Sequence, residues 1–170
     1  DAASLRAIRD FQARLGMTPS GIIDEAMLEL LIARSNDAEK ALGITLVDDA
    51  ATGARAALPL GMVRDFGATE VGNLWRSADE AVEIETVRIA DTGQTLKGLF
   101  DVLSQATETR SVSDAEFGGV GFVLRGQESG RSYVMRFAGR DGDLRGLSIS
   151  YTSGEAGRMA PYAVVASNLF

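Results

Sequence analysis

Chemistry near neutral pH needs a side chain that can take up and release a proton there. The two best suited, histidine and cysteine, are both absent from this 170-residue sequence. Serine hydrolysis therefore lacks its usual base. A serine–lysine dyad would have to draw on Lys40 or Lys97, and neither stands in such a motif. Paired carboxylates could cleave a glycosidic bond across roughly 5–9.5 Å. Glu83 and Glu85, at i and i+2 of a β-rich run, are the pair that could meet. A solvated strand face opposite Val82 and Ile84 explains them more simply, because nothing nearby suggests a cleft that would raise a pKa. Asp48-Asp49 and Asp141-Gly142-Asp143 offer oxygen ligands for calcium, but EF-hand spacing is missing and Asp-Gly already suits a hairpin turn. Gly118-Gly119-Val120-Gly121 lacks the Lys-Ser/Thr of a phosphate loop and leads into a strand pattern, so it reads as a flexible strand entry. Trp75 could stack on the apolar face of a sugar, although core packing is the commoner fate of a lone tryptophan. The expectation is a protein that binds or scaffolds, with no catalytic residue, metal or cofactor.

Composition narrows the partners. With 45% hydrophobic and 24% charged residues the chain can build an ordinary core. A net charge of -7 opposes non-specific binding to nucleic acid, and Arg6, Arg9 and Arg14 fit a solvated helix face. No run is long and apolar enough to span a bilayer. The chain opens inside a helical pattern, with neither the basic nor the apolar region of a signal peptide, which reads as a mature or excised piece of a longer protein.

Periodicity then places the elements. Leu5, Ile8, Phe11 and Leu15 recur at helical spacing and Gly16 is a natural stop. After the turn Thr18-Pro19-Ser20-Gly21, Asp24 can cap a second helix carrying Met27, Leu28, Leu31 and Ile32 and ending near Arg34-Ser35-Asn36. Two such helices bury too little to be secure alone. The polar stretch Ser35 to Ala41 is the expected boundary, between a helical unit 1–36 and a domain 43–170. In the latter, strand patterns run from Ile44 to Ile89. A helical stripe follows at Leu96, Leu99, Phe100 and Leu103. The stretch from Ser111 to Tyr151 reads as a meander, in which Val120, Phe122 and Leu124, then Tyr133, Met135 and Phe137, then Leu147, Ile149 and Tyr151 alternate. Turns are expected at Ser129-Gly130 and Asp141-Gly142. A last helix is expected from Pro161, with Tyr162, Val165 and Leu169 inward. The order gives an α+β fold: a small N-terminal helical unit, then an antiparallel sheet with packed helices.

The run Ala7-Ile8-Arg9-Asp10-Phe11-Gln12, Leu15-Gly16-Met17, Gly21-Ile22-Ile23-Asp24, then Leu28 and Leu31 resembles the second half of the peptidoglycan-binding-domain-1 family. Ser20 stands where that family usually has aspartate, and Met27 where it has threonine. The resemblance implies a non-catalytic cell-envelope module, periplasmic or secreted, whose partner is peptidoglycan or an envelope protein. Arg9, Thr18 and Ser20 are its exposed polar candidates for ligand contact, with Trp75 a fourth. Gln12 is expected to bond the turn backbone. Gly43 to Asp49, Leu58-Pro59, Trp75 to Asp79 and Arg145 to Tyr151 more loosely resemble an accessory domain of proteobacterial envelope proteins, some of which carry a trypsin-like protease. The element order also resembles the Mog1/PsbP-like α/β/α sandwich, a fold of accessory proteins. A protein-interaction module without glycan affinity is the first alternative, and a carboxylate-dependent glycan hydrolase the second.

Overall fold

A strand covered on one side alternates buried and open residues with a period of two. Gly72–Ser77 follows that rule, whereas Asp143–Tyr151 changes phase between Gly146 and Leu147, its two halves being covered on opposite faces. The computed structural model describes residues 2–170. The chain divides into two compact units, the first ending at Ala41 and the second spanning Leu42–Phe170.

The first unit is two helices, α1 (Ala2–Arg14) and α2 (Glu25–Leu42). Gly16, at φ +70°, ends the first as expected. Asp24 Oδ1 accepts from the Met27 N–H at 2.9 Å, the side-chain cap read from the sequence. The expected boundary stretch Ser35 to Ala41 is helical, since α2 runs through it to Leu42, and the division between the units falls at its end, after Ala41. Its residues are exposed, and Ala38, Glu39 and Lys40 are strong helix formers, so polarity there marks a solvated helix instead of a break.

The second unit begins with a hairpin of β1 (Ile44–Asp48) and β2 (Arg55–Pro59), a sheet of its own. A seven-stranded antiparallel sheet follows. It is made of β3 (Val63–Ala68), β4 (Gly72–Ser77), β5 (Val82–Ala90), β6 (Arg110–Gly118), β7 (Gly121–Glu128), β8 (Arg131–Arg140) and β9 (Asp143–Tyr151), in the order β3-β4-β5-β9-β8-β7-β6. Helix α3 (Leu96–Leu103) lies on one face, where Leu96, Leu99 and Phe100 pack on Phe122, Leu124 and Phe137. Helix α4 (Ala156–Leu169) and the β1-β2 hairpin share the other, where Trp75, Ile84, Ile149 and Leu58 meet Met159 and Tyr162. The Tyr162 hydroxyl donates to the Ala57 carbonyl at 2.6 Å and ties the two together. This is the α/β/α sandwich that the element order implied.

Two local expectations are corrected. Helix α4 starts at Ala156, so Pro161 lies inside it. Its buried stripe is Met159, Tyr162, Ala163 and Ala166, whose small alanines allow close approach, while Val165 and Leu169 are 43% and 61% exposed. Val120 is 78% exposed because it sits at the β6-β7 turn and not within a strand. The other two turns fall where expected, with Ser129 and Gly130 both at positive φ.

The aromatic rings under α3 need room that glycines supply. A Cβ on Gly146 would stand 2.4 Å from the Phe137 ring, and one on Gly126 would stand 2.7 Å from the Tyr133 hydroxyl. Each ring thus lies across a bare backbone on the neighbouring strand. Gly146→Ala is therefore expected to lower stability in urea by about 1–3 kcal/mol. Gly119→Ala, with nothing within 4 Å, is the control and should change it by less than about 0.5 kcal/mol.

Candidate functional site

In the helical unit one side chain organises the loop between the helices. Gln12 is 2% exposed; its Oε1 accepts from the Gly21 N–H at 2.8 Å, and its Nε2 donates to the Ile22 carbonyl at 2.9 Å and the Ser20 hydroxyl at 3.0 Å. The expected structural role of Gln12 is what the geometry shows. Gly21, at φ +78°, receives the Arg9 side chain, since a Cβ there would stand 3.0 Å from Arg9 Nε. Arg9 and Ser20 are thus brought to one turn, which Thr18 opens, and all three are exposed. Trp75 is not part of this arrangement. It is 4% exposed in the core of the second unit, so its ring faces are covered by packing and the expected sugar contact is corrected to a core role.

The carboxylates weighed for chemistry are committed to structure. Glu83 pairs with Arg76 at 2.8 Å and Arg131 at 3.8 Å, and Glu85 accepts from the Thr69 hydroxyl at 2.7 Å. Asp141 accepts from the Leu96 N–H at the start of α3, and Asp143 is shared by Arg88 and Arg145. No group of three or more metal-ligating side chains occurs among the described residues. Asp49, 7% exposed, closes the β1-β2 turn. It accepts from the Thr52 hydroxyl at 2.5 Å, from the N–H groups of Ala51 and Thr52, and from the Thr86 hydroxyl of β5 at 2.7 Å. Burial alone would push its carboxyl up, but hydrogen bonds from Thr52, Thr86 and the two backbone groups outweigh it and hold the pKa below the ordinary range. The hairpin is thereby tethered to the large sheet.

Residues not singled out from the sequence line a groove of about 390 Å³ beside α4. Ser111, Gln127, Ser132 and Tyr151 come from four consecutive strands of the sheet, with Val134, Ala160 and Val164 as an apolar wall. Burial pushes the Tyr151 phenol up. Separations of sixteen, five and nineteen residues carry no motif; the hairpin pairing alone assembles the row.

No protein-family model matches the chain, and no curated protein matches its sequence. Among solved structures, the solution structure of cyanobacterial PsbP from Synechocystis sp. PCC 6803 superposes with a TM-score of 0.53 at 12% identity, covering 74% of this chain and 89% of that one. A protein of unknown function from Pseudomonas aeruginosa, PA94, aligns over 70% of this chain and 90% of its own at 12% identity, but its TM-score is only 0.38. The first likeness shows a shared PsbP-like fold.

The Asp49 tether has a pH signature. A carboxyl whose folded pKa is depressed contributes stability in full above its unfolded value and loses it as pH falls through the folded one. Asp49→Asn should cost about 1–3 kcal/mol in urea unfolding at neutral pH. The gap from the parent protein should narrow once pH drops below about 4.

Proposed function

We propose that this chain is a non-catalytic accessory protein of the bacterial envelope, periplasmic or secreted, in which the helical unit contacts peptidoglycan and the α+β unit presents or regulates a protein partner. The observation that carries the non-catalytic part is the engagement of Glu83, Glu85 and Asp49 in structural contacts, in a chain without imidazole or thiol. General acid–base work needs a group free to exchange a proton near the working pH. Glu83 is held between two guanidinium groups, and the hydrogen bonds to Asp49 favour its ionised form.

The glycan contact is supported by the family-like pattern of the first helices and by the Gln12-held turn, on which Arg9, Thr18 and Ser20 are all open to solvent. A second reading, a protein-interaction module without glycan affinity, is favoured by the uncovered β3-β4 end of the large sheet. There Phe66 is 61% exposed and Val71 46%.

Co-sedimentation with insoluble peptidoglycan tests the proposal. The chain should appear in the pellet, and Arg9→Ala combined with Thr18→Val should lower the retained fraction several-fold without changing the melting temperature. Complete recovery in the supernatant would contradict the glycan contact and leave the protein-interaction reading. Release of muropeptides from purified sacculi, lost on Glu83→Gln, would contradict the non-catalytic assignment.

A further inference from the structure

The α+β unit holds hydrogen-bonding capacity that the chain itself leaves unused. Tyr151 is 6% exposed, yet its hydroxyl has no hydrogen-bond partner among the described residues. Although the residue is mostly buried, its hydroxyl oxygen is open to the groove, where a ligand or solvent can meet it. The hydroxyls of Ser111 and Ser132 and the carboxamide of Gln127 are likewise without partners among the described residues.

These four side chains form one row. Ser111 stands opposite Gln127, Gln127 opposite Ser132, and Ser132 opposite Tyr151, so they cross β6, β7, β8 and β9 on the face that carries α4. Strands lie about 4.8 Å apart, so polar groups recur along the row at that interval. Ala160 and Val164 of α4 bound the groove on its apolar side. Among the described residues Arg125 is the one charged residue of the lining, and Asp114 and Glu116 already meet its charge.

The chemistry of the lining selects its occupant. A phosphate or carboxylate would need a cation not already paired. An extended peptide gains most from main-chain pairing at a sheet edge, and of the four strands in the row only β6 has a free edge, so Gln127, Ser132 and Tyr151 stand where the backbone is already paired on both sides. What remains is three hydroxyls and a carboxamide, donors and acceptors without net charge, beside aliphatic side chains. We infer that the groove between α4 and strands β6 to β9 binds an uncharged saccharide, its hydroxyls meeting Ser111, Gln127, Ser132 and Tyr151 and its apolar ring face meeting Ala160 and Val164. This site lies wholly in the second unit and does not depend on the glycan contact proposed for the helical unit.

The test is a titration of the ¹⁵N-labelled chain with three probes: N,N′-diacetylchitobiose, cellobiose and the peptide N-acetyl-trialanine amide. Either disaccharide should give saturable shifts at the Gln127 and Ser132 amides. Tyr151→Phe removes only the unpaired hydroxyl, so the melting temperature should hold or rise slightly while the dissociation constant weakens about five- to ten-fold. Gln127→Ala should weaken it similarly. Arg9→Ala, in the other unit, should leave the disaccharide titration unchanged, which separates failure here from failure of the peptidoglycan contact. Silence with both disaccharides at millimolar concentration would overturn the inference. So would binding insensitive to Tyr151→Phe, or a preference for the peptide.

Discussion

The pairing of β9 with β5 on one side and β8 on the other decides what every side chain in the α+β unit does. Side chains alternate along a strand, so a slip of one residue would turn the core outward and the surface inward. In the observed register Ile149 stands opposite both Ile84 and Val134, which builds the layer under α4. Leu144 stands opposite Ile89 in the layer under α3. The same register sets Ser148 opposite Glu85 and Ser150 opposite Glu83, on the open part of the α3 face. Burial on both faces penalises a one-residue slip, because it would place serines and glutamates where leucine and isoleucine now pack.

Polar side chains in this protein serve mainly to hold that frame. Asp49 joins the small hairpin to β5, Asp141 caps α3, and Arg131 donates to the Glu80 and Ala81 carbonyls, fastening β8 to the β4-β5 turn. Gln12 plays the corresponding part in the helical unit. Groups bound in this way are occupied in holding the frame. The row from Ser111 to Tyr151 differs in kind, being polar, lining a groove, and not engaged by the chain itself.

Much of the architecture was legible in the residues. Alternation along Leu147, Ile149 and Tyr151, the stripe Leu96-Leu99-Phe100-Leu103, and the turns at Ser129-Gly130 and Asp141-Gly142 each have a local cause, and all reappear. Helix limits were harder to read. Polar residues 35–41 continue a helix because propensity, and not hydrophobicity, sustains an exposed turn. Pro161 suits a helix start, whereas the 3₁₀ turn at Ser153–Glu155 leads directly into the helix five residues earlier, at Ala156. The groove was half legible. Two-residue turns at 129–130 and 141–142 imply that Gln127 faces Ser132 and Ser132 faces Tyr151. Ser111 joins the row only because of an irregularity between Val112 and Asp114, which no residue type announces. Trp75 was the one aromatic weighed as a ligand contact, and burial of a large ring outweighed that use.

The hairpin register determines both the core and the row of free polar groups. Long-range proton–proton contacts across β7, β8 and β9, measured by NMR on the isotopically labelled chain, test it most directly. Cross-strand contacts should pair Gln127 with Ser132, Ser132 with Tyr151 and Val134 with Ile149. Contacts displaced by one residue, such as Ser132 with Ser150, would contradict the account.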